Sequence, residues 1–182
     1  MNLKSFETER LSLREWTLND IDDLVEGLNN FEVAKNLTSP FPYTREHAKY
    51  FINKSLKNTK DKCEFAIVLK ENNKVIGGTG IEFHQELDRY KGGIWLNQNY
   101  IGKGYGTEVW KARAKFAFEV LNQEELINGF YEFNNTSKHM QEKVGYKITG
   151  KKINYCPALQ KEVVEIITKL TKEDFYNQLK KT

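Results

Sequence analysis

Apolar residues along this chain recur at two periods, and the switches between them mark the elements. Leu11-Ser12-Leu13-Arg14-Glu15-Trp16 alternates apolar and polar side chains, the pattern of a half-buried strand. Thr17 is a capping residue, and the stripe Leu18, Ile21, Val25, Leu28 behind it predicts a helix. Pro40-Phe41-Pro42-Tyr43 breaks the chain before Thr44 opens a second helix with Ala48, Phe51, Ile52 and Leu56 on one face. Phe65 to Leu69, the turn Glu71-Asn72-Asn73-Lys74 and Val75 to Phe83 read as a hairpin, and Tyr90 to Leu96 as a further strand. From Gly106 the period lengthens again: Val109, Ala112, Phe116 and Val120, with Arg113, Ala117 and Leu121 beside them, predict a helix of about four turns. Strands follow at Leu126 to Phe133, Tyr146 to Ile153 and Val163 to Leu170, with helices at Asn134 to Val144 and Lys172 to Lys180. Strands and helices interleaved in this order describe one mixed sheet with helices packed against it, a mixed α/β domain covering residues 1–182.

Composition narrows the classes. With 39% hydrophobic residues and a net charge of +3, disorder is excluded. The longest apolar run, Phe65 to Leu69, is far below the roughly 18 residues of a membrane span. The start, Met1 to Phe6, has no apolar leader stretch, so a cytoplasmic location is expected. Cys63 and Cys156 stand apart, and the three histidines show no ligand spacing, so neither a disulfide framework nor a metal site is expected. The pI is about 8.7, but only 5 of the 28 basic residues are arginine and no basic stripe carries interleaved aromatics. Neither a nucleic-acid nor a membrane partner is expected.

The candidate chemistry sits in Ile101-Gly102-Lys103-Gly104-Tyr105-Gly106-Thr107-Glu108, which joins a strand to the long helix. Glycines at alternate positions allow turns closed to other residues and let a ligand approach the backbone. At a helix start, unpaired N–H groups and the positive end of the dipole converge, which suits a phosphate or pyrophosphate. The spacing is neither the dinucleotide fingerprint nor a P-loop. Read alone, the segment is either an anion site or a loop whose glycines only let it turn.

Four further features decide between them: Thr8-Glu9-Arg10-Leu11-Ser12-Leu13-Arg14; the Pro42-Tyr43-Thr44 turn; Trp95-Leu96 ahead of the glycine loop; and Asn134-Asn135-Thr136-Ser137 leading to Lys143-Val144-Gly145-Tyr146. Together with the loop they resemble the GNAT superfamily of acetyl-coenzyme A-dependent N-acetyltransferases, most closely the Rim-type group that acetylates ribosomal-protein N-termini. The resemblance implies a central sheet with a splayed strand pair and helices on both faces. It also implies acetyl-CoA as co-substrate, with Ile101, Gly102, Lys103, Gly104, Gly106 and Thr107 around the pyrophosphate. The pantetheine would lie between Trp95-Leu96 and the strand ending at Phe133, with Asn134 and Ser137 reaching it from the other side. A backbone N–H near Leu96 would polarise the acetyl carbonyl. Phe41 and Tyr43 would line the acceptor groove.

Three positions depart from the family pattern. Ile101 stands where Gln, Arg or Trp is usual, Lys91 where many relatives have Glu, and Gln141 where several have a Tyr that protonates the leaving thiolate. Ser137 is then the candidate acid. Glu82 and His84, two residues apart on one strand face, are the candidate base and acceptor contact. Neither cysteine has a basic neighbour, so an acyl-cysteine route is not expected. Trp16, Trp110, Phe116 and Phe118 read as packing residues, and Lys147, Lys151 and Lys152 as an exposed edge. The expected reaction is direct transfer to a primary amine, with the α-amine of a peptide or protein favoured by the scarcity of bases. A small-molecule amine (polyamine, aminoglycoside or amino acid derivative) and a non-catalytic acyl-CoA-binding module are the alternatives. A homodimer is compatible with the sequence.

Overall fold

The computed structural model of the chain describes residues 4–56, 58–87 and 89–181; Met1 to Leu3, part of the segment read for a leader, lie outside them. The strands are β1 (Ser5–Glu7), β2 (Leu11–Arg14), β3 (Lys62–Leu69), β4 (Val75–His84), β5 (Arg89–Leu96), β6 (Glu125–Tyr131), β7 (Lys147–Cys156) and β8 (Lys161–Thr171). The helices are α1 (Ile21–Leu28), α2 (Phe31–Ala34), α3 (Arg45–Lys54), α4 (Tyr105–Glu119), α5 (Asn135–Val144) and α6 (Lys172–Leu179). β1 and α2 have no counterpart in the sequence pattern because three or four residues are too few to show a period. The strand expected to reach Phe133 stops at Tyr131, and Phe133 stands exposed in the turn behind it.

The strands form one sheet in the order β1-β2-β3-β4-β5-β6-β8-β7. Every neighbouring pair is antiparallel except β5–β6, which is parallel. β3 is apolar on both faces because both are covered. Phe65, Ile67 and Leu69 pack with Val109, Trp110, Phe116 and Ala117 of α4. Ala66 and Val68 pack with Leu24 and Leu28 of α1 and Ile52 of α3. The mixed sheet with helices on both faces is as expected. Trp16, Trp110, Phe116 and Phe118 are all buried, as packing residues should be. β7 closes the sheet as an edge and exposes Lys147, Lys151 and Lys152.

The one parallel pair positions the site. β5 and β6 are joined only at Tyr90↔Leu126 and Lys91↔Ile127, and they separate from there on. Gly92 to Leu96 of β5 and Asn128 to Tyr131 of β6 therefore face a gap in mid-sheet with backbone groups not spent on each other.

Candidate active site

The glycine loop enters α4 through two left-handed residues, Gly102 at φ +82° and Gly104 at φ +84°. Gly104 is the N-cap, and no side chain caps the helix, so the first-turn N–H groups remain available to a ligand. A Cβ at Gly102 would meet open space, which leaves the approach clear. The loop is held from behind. The Glu108 carboxylate accepts from the Arg10 backbone N–H at 3.0 Å, from Arg10 Nε at 2.8 Å and from the Thr8 hydroxyl. Arg10 Nη1 donates to the Lys103 carbonyl at 3.0 Å, and its guanidinium stacks over Tyr105 at 4.4 Å. Burial tends to raise the Glu108 pKa, but the Thr8 and Arg10 hydrogen bonds outweigh it and hold the carboxyl below its usual range. The opening Thr-Glu-Arg segment thus acts through the loop it braces.

Between the parted strands lies a cleft of about 920 Å³, within the range of ligand sites, lined by both strand ends, the glycine loop and the start of α5. Trp95, Leu96, Ile101, Gly102, Gly104, Gly106, Thr107, Asn134 and Ser137 all line it. Lys103 does not: its ammonium lies over the Tyr100 ring at 5.2 Å, and only its carbonyl belongs to the loop brace. Asn134 caps α5, its Oδ1 accepting from the Ser137 N–H at 3.0 Å. Gln141 Nε2 donates to Ser137 Oγ at 3.1 Å and to the Gly129 carbonyl at 3.4 Å, while Thr168 donates to Gln141 Oε1 at 2.6 Å. The Gly129 carbonyl can only accept, which fixes the amide's orientation. Ser137 Oγ is therefore an acceptor from Gln141, and its own O–H is left for a ligand.

On the other face of the sheet a second cavity, of about 610 Å³, meets the first along Lys91 to Trp95. Its walls are Trp16, Leu24, Leu28, Tyr43, Phe51 and Trp95. In its floor lies a carboxyl that the sequence reading passed over. Glu64 of β3 stands opposite Gly80 of β4, which stands opposite Gly93 of β5. A Cβ at Gly80 would fall within contact of the Glu64 carboxylate, so glycine is what lets that side chain lie across the strand. A Cβ at Gly93 would touch nothing. With strands about 4.8 Å apart, the carboxylate ends roughly 5 Å short of Gly93, room for an amine or one water. Burial pushes the Glu64 carboxyl up to about 7, against the pull of Lys62 and with a further push from Glu82.

The other expected residues fall around this chamber with different weight. Tyr43 is in its wall, and burial lifts its hydroxyl to about 12. Phe41 is not a wall residue; it packs edge-on against Phe31, ring centroids 5.8 Å apart. Glu82 and His84 both line the chamber, His84 exposed at the end of β4. The Lys62 ammonium lies between the two carboxylates, 3.3 Å from Glu82 and 4.0 Å from Glu64. Lys91, the departure on β5, is paired with Glu165 of β8 at 3.0 Å. Both cysteines are buried free thiols, and burial, with Glu64 and Glu15 adding to it, lifts Cys63 to about 12, far from a nucleophile. The signal for Glu64 was present in the sequence: it is the one charge inside Cys63 to Leu69, a strand otherwise apolar on both faces.

A parted parallel pair beside a glycine-capped helix, backed by a chamber with a raised carboxyl, is a frame for acyl transfer from a pyrophosphate-bearing thioester. Comparisons with known proteins point the same way. Residues 10–147 match the acetyltransferase (GNAT) domain model. An uncharacterized N-acetyltransferase of Bacillus subtilis, YnaD, is 27% identical over 143 residues, 79% of this chain and 82% of that one. The fold superposes on the ribosomal-protein-S5-alanine acetyltransferase of Vibrio fischeri with a TM-score of 0.77 at 19% identity, covering 94% of this chain and 98% of that one. It superposes equally on the spermidine N-acetyltransferase of Vibrio cholerae, solved with CoA and spermine (TM-score 0.79, 15% identity, 93% and 100% covered). The matched span begins at the arginine that braces the loop and runs through the glycine loop, β6 and α5, so the chain belongs to the GNAT family and is an acetyl-CoA-dependent N-acetyltransferase.

Proposed function

We propose that this N-acetyltransferase acetylates the α-amine of a peptide or protein N-terminus, with Glu64 as base and Ser137 as hydrogen-bond donor to the leaving sulfur. The observation that carries the reading is the Glu64 carboxyl near pH 7, lying over Gly80 where the chamber opens onto the coenzyme cleft. An α-ammonium has a pKa of about 7.8, so passing its proton to Glu64 costs about 1 kcal/mol. A lysine-type ammonium near 10.4 would cost about 5 kcal/mol for the same step. The freed nitrogen lone pair forms the N–C bond and the C–S bond breaks. The second nitrogen proton ends on sulfur, by way of the Ser137 hydroxyl that Gln141 leaves unspent. Glycine-loop N–H groups and the unpaired β5 edge hold the co-substrate, and the backbone near Leu96 faces the carbonyl oxygen as it gains charge. In this reading Glu64 takes the place of Glu82, which lies closer to Lys62 and stands more exposed.

The resemblance to the Rim-type group favours a protein acceptor, whereas a chamber of about 610 Å³ with aromatic side chains in its wall also suits a free small amine of similar pKa, the second reading. Thiol release at pH 7 separates these from lysine chemistry. Peptides with a free N-terminus should turn over, and the same peptides with a blocked N-terminus and a free lysine should not. Turnover confined to the lysine amine would refute the α-amine assignment.

A further inference from the structure

The acceptor chamber has a charge inventory narrower than the reaction requires. Among the described residues that line it, the carboxylates are Glu64 and Glu82 and the ammonium groups are Lys54, Lys62 and Lys91. Lys62 lies 3.3 Å from Glu82, Lys91 lies 3.0 Å from Glu165, and Lys54 sits over the Tyr50 ring at 4.6 Å. Two histidines, His47 and His84, complete the titratable lining besides Tyr43 and Tyr50. Lys62 also lies 4.0 Å from Glu64, so two carboxylates share one ammonium and a single negative charge is left to receive a nitrogen; the more buried of the two is Glu64, at the floor with its side chain 19% exposed. Apart from the hydroxyls of Thr38, Ser39, Ser55 and Thr79, the wall is built on Trp16, Leu24, Leu28, Tyr43, Phe51 and Trp95, with Trp16 and Phe51 in edge contact at 5.6 Å.

We infer that the acceptor carries a single amine nitrogen on an apolar body of aromatic or branched aliphatic size, and that the chamber rejects polycationic amines. The inference rests on the acyl-transfer reading above and narrows its substrate class. An ammonium that must leave water is tolerated only against a carboxylate. A second ammonium on the same molecule would meet Lys54, Lys62 and Lys91 in place of a partner. A glycine-sized acceptor would reach Glu64 but leave the aromatic wall wet, forfeiting the contact that an apolar body gains there. The fold is shared with a spermidine acetyltransferase, so the selection lies in these side chains. The first residue of a peptide and a free alkyl or aryl amine share this chemistry.

Binding can be read independently of turnover, because Trp16 and Trp95 stand in the wall and report occupancy by fluorescence. The CoA-saturated protein is titrated with phenylalaninamide, leucinamide, phenethylamine, glycinamide and spermidine, and acetylation of each is followed separately by thiol release. Phenylalaninamide and leucinamide should bind at least tenfold more tightly than glycinamide and spermidine, and Phe51→Ala should remove most of that preference. Phenethylamine binding as tightly as phenylalaninamide marks a free amine as the acceptor, while a weaker phenethylamine marks the residue with its carbonyl; either supports the apolar monoamine. Spermidine or glycinamide binding as tightly as the apolar amines overturns the inference, whether or not they turn over. Tight, selective binding of the apolar amines with no acetylation supports the inference and refutes the acyl-transfer reading instead.

Discussion

Glu64→Gln keeps the side chain's size and removes its titration, which exposes the cost of burying that carboxyl. Wild-type Glu64 rises from 4.5 to about 7 on folding. At about 1.4 kcal/mol per pH unit the folded state gives up about 3 kcal/mol once the group is ionised. Because the folded state binds this proton more tightly, the penalty is absent below pH 4.5, grows as pH rises, and is complete above about 7. At pH 5 it amounts to about 1 kcal/mol and at pH 8 to about 3 kcal/mol. The glutamine amide contributes an offset that does not vary with pH. The stability gained by the variant should therefore be larger at pH 8 than at pH 5 by about 2.5 kcal/mol, read from urea denaturation at the two values. The other titratable groups in the chamber, Lys54, Lys62, Lys91, Glu82, His47, His84, Tyr43 and Tyr50, are common to both proteins, and the action of Lys62 and Glu82 on Glu64 is already contained in its raised value. Over the same range kcat at pH 7 should fall by about 10²- to 10⁴-fold with acetyl-CoA affinity unchanged. A stability difference that is the same at both pH values, or a kcat within threefold of wild type, would falsify the role given to Glu64.

Three other substitutions probe the remaining parts. Gly104→Val forces a branched residue to φ +84° and places its Cβ 3.3 Å from Arg10 Nη2, so CoA binding by calorimetry should weaken at least tenfold. Unchanged affinity would remove the pyrophosphate from this loop. Ser137→Ala should lower kcat about tenfold or more while acetyl-CoA affinity stays near wild type, and a loss confined to affinity would make Ser137 a binding residue only. Gly93→Val adds a side chain where nothing stands within 4 Å, so the fold should hold, with thermal midpoint little changed, while acceptor turnover drops at least tenfold. Full activity in that variant would place the amine elsewhere.

Most of the coenzyme half was legible in the chain because its signals are local. Alternate glycines at a helix start and an Asn that caps the next helix are readable from neighbouring residues alone. The long helix, the hairpin and the two closing strands follow from periods that run through many residues. The acceptor half was not legible in the same way. Glu64 matters because Gly80 and Gly93 come level with it through two strand registers, and register is a long-range property. The sequence pointed to Glu82 and passed over Glu64; Lys62 lies within 4.0 Å of both, and what separates them is burial, Glu64 being 19% exposed and Glu82 45%. Gln141, a departure from the expected tyrosine, proved to be wired to Ser137 by contacts with β6 and β8 that no linear spacing announces.

The Arg10–Glu108 brace has a thermodynamic side. β1 and β2 form the outer edge of the sheet, three and four residues long, and such edges are the first to open in a native protein. The brace fastens this edge to the backbone that receives the pyrophosphate, so closing the edge and filling the loop belong to one equilibrium. Whatever coenzyme gains from a braced loop, the edge must gain from bound coenzyme, because coupling between two sites is reciprocal. Amide exchange at Phe6, Leu11 and Leu13 should slow as coenzyme saturates the distant glycines, and that protection should vanish when Arg10 is replaced by alanine. The first strands of the sheet then serve as a slow reporter of occupancy at a site they never touch.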